Sequence, residues 1–234
     1  MIKHSGADVL RLWVAATDFR GELAVSEEIL TRIVDSYRRL RNTARFLLAN
    51  IYDFNPATDC VAPDQMLALD RWAVDRAWSL QQEIIKAYND YSFHLVYHKL
   101  HQFCTIDMGS LYLDILKDRQ YTCKTNSLAR RSAQTALYHI AEGLVRWLTP
   151  ILSFTAEEIW QYLPGQRSES VLLETWYQGL FPFPNQEDKW KAIFAVREAV
   201  NLELEKLRVA ETIGASLDAE VDIYCSGTLY NQLQ

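Results

Sequence analysis

Between Asp35 and Phe46 the sequence places four arginines, Arg38, Arg39, Arg41 and Arg45, around Asn42, with Asp35 as the one acid. At about 100° per residue on a helix, Arg38, Arg41 and Arg45 fall together, with Asn42 beside them and Arg39 on the flank. Guanidinium groups carry forked donors that match phosphate oxygens bidentately, and flat faces that stack on unpaired bases. A basic stripe is also what the ordinary solvated side of a helix looks like. No acid stands four residues from Arg38, Arg41 or Arg45, however, and a merely solvated face often pairs its charges at that spacing.

Other groupings carry less. His94, His98 and His101 are spaced four and three apart and are followed by Cys104. The first two have chelating geometry on a helix, but no carboxylate lies at the matching turns to orient the rings, so packed or exposed histidines are expected rather than a metal site. Cys60, Cys104, Cys123 and Cys225 are far apart, with no CxxC pair. A zinc ribbon or redox dithiol is not expected in this segment, and reduced thiols in a cytoplasmic protein are. The acid pairs Glu27–Glu28 and Glu157–Glu158 read as helix starts rather than acid–base machinery. Trp13, Trp72, Trp78, Trp147 and Trp160 read as core aromatics.

The elements that must position these residues are mostly helices. The chain has 234 residues, 49% of them hydrophobic, with only 8 Gly and 6 Pro to interrupt it. Its formal charge of −6 argues weakly against a nucleic-acid partner, but RNA binding needs a local positive patch, not a basic whole. The longest apolar runs are four to five residues and Met1 to Gly6 has no apolar signal core, so neither a membrane span nor a secretory leader is expected.

Gly6 to Ala16 reads as a helix with Val9, Leu10, Trp13 and Val14 on one face, followed by a loop through Gly21. Ser26 reads as the N-cap of a long helix whose apolar face is Ile29, Ile33, Tyr37, Leu40, Ala44, Leu47 and Ile51. The arginine stripe then lies roughly opposite that face. Further helices are expected over 67–91, 92–117 and 127–148, with a polar connection over 118–126. Pro150 breaks the last of these, and Thr155 with Glu158 fits a capping box for a short helix that follows. Beyond Gly165 one strand is expected around Val171 to Trp176, a charged helix over 188–209, and a second strand at Val221 to Cys225.

Several stretches resemble one family, in order. Ser36 to Asn50, which contains Tyr37-Arg38-Arg39-Leu40-Arg41-Asn42-Thr43-Ala44-Arg45, is similar to the first anticodon-domain helix of bacterial-type isoleucyl-tRNA synthetases, class I aminoacyl-tRNA synthetases. Gly6 to Trp13, Asp18 to Glu22, and Tyr112 to Tyr121 (with Leu116-Lys117-Asp118-Arg119) resemble other parts of that family. Pro150 to Trp160, with Leu163-Pro164, resembles the closing helix of the bundle, a pattern shared with valyl and leucyl relatives.

The resemblance implies a mainly α fold: an antiparallel anticodon-binding bundle over 25–164, a junction segment over 1–24, and the truncated start of a small α/β module over 165–234. It implies an isoleucine–tRNA ligase that uses ATP in the cytoplasm, with catalysis and the editing of mischarged valine in upstream domains and zinc in a C-terminal tail. The family's phosphate-contacting His and Lys signatures and its zinc cysteines do not occur here, so this segment is expected to be non-catalytic, without a cofactor or metal of its own. Its expected partner is tRNA(Ile), bound by a monomer without a membrane. Carried onto this chain, the contacts are Arg38, Arg41, Asn42 and Arg45, then Arg39, then Lys117 and Arg119. Arg20 either touches the tRNA or makes an ordinary loop salt bridge. A valyl- or leucyl-type domain, or a helical scaffold for an acidic protein, are the alternative readings.

Overall fold

Ser26 starts the long helix as its hydroxyl accepts the Ile29 N–H at 3.2 Å, relieving one of the donors that a helix N-terminus leaves unpaired. The computed structural model describes residues 6–23, 25–184 and 186–233, so the reading of Met1 to Ser5 lies outside the described residues. The helices are α1 (Ala7–Ala16), α2 (Glu27–Asn50), α3 (Ala68–Asn89), α4 (Phe93–Gln102), α5 (Leu113–Thr122), α6 (Leu128–Leu148), α7 (Ser153–Trp160), α8 (Glu187–Val209) and α9 (Thr228–Leu233). A π-helical run, Phe103–Tyr112, joins α4 to α5 without a break. The sequence expectation of a helix ending near Lys117 is thereby extended to Thr122. Two compact units result, Met1–Pro182 and Phe183–Gln234, and the expected boundary at 164/165 falls inside the first.

The fold is mainly α. No strand occurs among the described residues, so the expected α/β module is not seen. Val171–Leu173 forms a 3-10 turn instead of a strand, because the Glu157 carboxylate takes the Ser170 hydroxyl at 2.8 Å and the Val171 N–H at 3.2 Å. Val221 to Cys225 forms no ladder with any described segment.

In the first unit the core runs along α2, α3, α4, the π-helical run and α6. Leu40, Leu47, Ile51, Leu80, Ile84, Leu100, Phe103, Leu116, Ile140 and Trp147 are all essentially inaccessible to solvent. Trp147 and Trp160 are buried, and Trp72 and Trp78 pack against the same core. The α1 face is rotated from the expected one. Asp8, Val9, Leu12 and Ala15 point inward while Val14 is exposed.

That rotation has a consequence for α7. Buried Asp8 accepts both the Thr155 N–H (2.7 Å) and its hydroxyl (2.6 Å), and Arg11 donates to the carbonyls of Ile151 (2.7 Å) and Pro150 (2.9 Å). The start of α7 is thus capped across 147 residues of sequence rather than by a capping box. Thr155 lies inside the helix and Glu158 turns away to another partner.

A second buried network ties α3, α5 and α6. Asp70, fully buried, accepts from Tyr112 Oη (2.8 Å), Ser132 Oγ (2.5 Å) and both terminal nitrogens of Arg119 (2.7 and 2.9 Å). A third holds the segment after Gly165 to the bundle. Glu142 pairs with Arg146 and Arg167, Arg146 reaches Glu174 at 2.6 Å, and His139 Nδ1 meets Tyr177 Oη at 2.7 Å.

Candidate nucleic-acid interface

Helix α2 keeps one side in the core and holds Arg38, Arg39, Arg41, Asn42 and Arg45 in solvent. Five of the eight expected contact residues therefore share one helix surface. Their partners differ. Arg38 lies 3.3 Å from Asp35 in an exposed pair, three residues back rather than four. Arg41 sits at the edge of the apolar face, not opposite it, and reaches across to α7, donating to both Glu158 oxygens at 2.7 and 2.8 Å. The bond raises the Arg41 pKa and lowers that of Glu158. Both side chains remain about half exposed, so the pair contributes about 1 kcal/mol at most. Neither Arg39 nor Arg45 has an ion-pair partner among the described residues.

The other three expected contacts lie elsewhere. Arg20 forks onto Asp18 (2.8 and 3.0 Å) in the loop after α1, and this pairing holds the Asp18 carboxyl at about 2. Lys117 pairs with Asp114 at 2.8 Å on the exposed side of α5. Arg119 is engaged inside the molecule by Asp70, so its guanidinium is a structural cation rather than one offered to a ligand.

Two concavities adjoin the arginine row. A groove of 550 Å³ runs between the second half of α2 and the end of α7, lined by Arg41, Arg45, Leu48, Tyr52, Glu158 and Tyr162. Tyr52 and Tyr162 are 80% and 72% exposed, so their rings are open to solvent at the two sides of the groove. The second concavity, more polar and 430 Å³, shares Ala49 and Tyr52 with the groove and extends to Gln120, Tyr121 and Arg130. Cations beside exposed aromatic rings are the elements from which single-stranded RNA sites are built: charge for the backbone, flat faces for unstacked bases.

Sequence reasoning does not pick out these tyrosines. Tyr52 and Tyr162 each stand just past a helix end, where periodicity no longer tells inside from outside, and that position beside a basic helix is the only signal they give. Among the described residues no three His, Cys, Asp or Glu converge on a point that would hold a metal ion. His98 and His101 pack around the Tyr97 ring, and burial pushes the Cys104 thiol up to about 12. No helix of the described residues is long and apolar enough to cross a membrane.

Over 97% of its length the chain is 63% identical to the isoleucine–tRNA ligase of Methylococcus capsulatus. It is 61% identical over 98% to that of Thioalkalivibrio sulfidiphilus, and 58% identical over its whole length to that of Pseudomonas aeruginosa. In each case it spans about a quarter of the relative's length. Residues 70–223 match the family described as the anticodon-binding domain of tRNA ligase. That match begins after α2, so the arginine helix lies within the span aligned to the ligases but outside the family match. The chain belongs to the anticodon-binding domain family of tRNA ligases.

Proposed function

We propose that this chain grips the anticodon arm of tRNA(Ile), as one part of a cytoplasmic, monomeric isoleucine–tRNA ligase that joins isoleucine to its tRNA with ATP. The observation that carries the reading is the exposed row Arg38, Arg41, Asn42 and Arg45, with Arg39 on its flank, leading into a groove flanked by Tyr52 and Tyr162. The arginines hold phosphates and so set register, while bases splayed from the loop are read by side chains in the groove. Lys117 and Arg20 are exposed but committed to nearby acids, and stand as peripheral contacts. Arg119 is left out of the interface. The isoleucine identity is supported by the names of relatives 58–63% identical to the chain. In the whole ligase, ATP chemistry, valine editing and a zinc-bearing tail belong to other parts.

A ribonuclease footprint of tRNA(Ile) with the chain bound tests this reading. Protection is expected in the anticodon stem and loop, with weaker protection of tRNA(Val) and tRNA(Leu). Protection confined to the acceptor stem, or none, would overturn it.

A further inference from the structure

Helix α2 runs parallel to α4 and its π-helical extension, and the two are in register. Ser36 Oγ meets Tyr97 Oη at 2.8 Å, and two turns further on the Thr43 hydroxyl donates to the Cys104 carbonyl at 3.3 Å, so a residue of α2 lies beside the one 61 positions later. That register sets Arg39 beside Leu100 and His101, on the side of the basic row away from Arg41 and the tyrosine groove. Leu100 is buried, whereas Arg39 and His98 are exposed and His101 is half-buried. The Tyr97 ring, pinned by Ser36, carries both imidazoles, with centroids 5.1 Å from His98 and 6.1 Å from His101. One guanidinium and two imidazoles therefore share a patch at the seam between α2 and α4.

The acids around this patch are committed elsewhere. On α2, Asp35 holds Arg38 and Glu28 holds Arg32. In the loop after α1, Asp18 holds Arg20 and faces His94, one turn before His98. Glu83 of α3 holds Lys99, and Asp107 of the π-helical run holds Arg76. The charges that act on His101 are those of Arg39 and His98. Partial burial and then these two like charges hold its pKa below 6.5, so the ring stays neutral at neutral pH. An anion seated among the three groups reverses that balance, because negative charge favours the imidazolium. A phosphodiester brings both the charge and oxygens that accept from guanidinium and imidazolium N–H groups.

We propose that Arg39, His98 and His101 together hold one phosphate of the bound RNA, and that the two imidazoles take up protons from solvent as it settles, so that the grip on RNA tightens as pH falls. Each imidazolium then donates an N–H to a phosphate oxygen, and no bond to phosphorus forms or breaks. The bound state has the higher pKa, so the gain in affinity is full below the pKa of the free chain and is lost as pH rises through that of the complex. The inference rests on the RNA-binding reading above and adds to it a regulation by pH.

The test titrates the 234-residue chain with an RNA hairpin of the tRNA(Ile) anticodon arm at about pH 6 and about pH 8, across several salt concentrations. Phosphodiesters are ionised throughout that range, and His139, buried with a pKa of about 4, stays neutral. Wild type is expected to bind roughly 3- to 30-fold more tightly at the lower pH, a tenfold step for each unit by which the phosphate raises an imidazole pKa. Its plot of log affinity against log salt should also steepen there by about 0.7–0.9 for each imidazole that becomes charged. The double variant His98→Gln/His101→Gln is expected to lose both changes, whereas Arg45→Ala binds more weakly at both pH values and keeps them. Melting temperatures show whether the double variant is folded. Should it melt early, NMR of the wild-type imidazole rings decides instead: His98 and His101 are expected to titrate at higher pH with the hairpin than without it, and unmoved titrations count against the site. Equal wild-type affinity at the two pH values, or a pH effect that survives in a folded double variant, would overturn the phosphate site and leave the Arg45 interface standing. If wild type fails to bind the hairpin at either pH, the RNA-binding reading falls with it.

Discussion

Arg45 is the arginine whose role is least entangled with the fold. It is exposed, has no ion-pair partner among the described residues, and lines the groove between α2 and α7. Replacing it with Ala is therefore expected to leave helicity and melting temperature unchanged and to weaken tRNA binding. Each phosphate contact contributes a slope of about −0.7 to −0.9 to log affinity against log salt. The Arg45→Ala plot should flatten by about that much, whatever the loop sequence, in a titration at several salt concentrations. An unchanged slope would make Arg45 part of a solvated face. His139 carries a different kind of prediction, about pH. Burial lowers its pKa from 6.5 to about 4, so the folded chain holds it neutral against Tyr177 while the unfolded chain binds a proton from about pH 6.5 downward. Its contribution is thus fully present above pH 6.5 and is lost as pH falls through 4, approaching about 3 kcal/mol at the low end. The stability gap between wild type and His139→Gln, from urea unfolding at about pH 7, 5 and 4, should move by that order in favour of the variant as pH falls; a constant gap would contradict the assignment.

At the scale of elements, what can be read from sequence is what repeats. The steps of four and three from Ile29 to Ile51 define α2, and Ser26 marks its start, because a two-sided helix needs no distant partner to declare its inner face. The basic row is legible for the same reason. What cannot be read depends on contacts far apart in the chain. The α1 face is turned by Asp8 reaching Thr155, the α7 cap by the same bond, and Val171–Leu173 by Glu157. The π-helical run from Phe103 has an apolar and small-residue composition that one more α-turn would also fit. Arg119 is the instructive case. Its neighbours resemble a family segment and its charge suits RNA, yet the buried carboxylate that claims it stands 49 residues away. Removing one partner of a buried pair leaves the other charged and unpaired, at about 3–5 kcal/mol. Arg119→Ala should lose stability of that order in urea unfolding, with α3, α5 and α6 loosened together, whereas Lys117→Ala, an exposed pair, should change stability by less than about 1 kcal/mol. Equal, small effects would make Arg119 an ordinary surface cation.

For the whole molecule, a net charge of −6 is compatible with the proposed RNA partner because four arginines, Arg38, Arg39, Arg41 and Arg45, stand together on one exposed helix surface and make the positive charge local. Everything that builds the proposed interface, from Arg38 to Tyr162, lies within the unit Met1–Pro182, which also contains all of the buried hydrophobic core found among the described residues. A chain ended after Pro182 should accordingly keep its melting temperature within a few degrees and its tRNA affinity nearly unchanged; loss of either would assign the remaining segment, Phe183–Gln234, a part in folding or binding. The most direct test of the central claim is a titration of the intact chain against tRNA(Ile) and the same tRNA with an altered anticodon, at matched salt concentrations. Affinity for both is expected to fall with salt along parallel lines, with the native anticodon preferred by about 1–3 kcal/mol for each base that the alteration takes out of register with its reading side chain. Equal affinity for the two tRNAs at every salt concentration would contradict anticodon recognition by this domain.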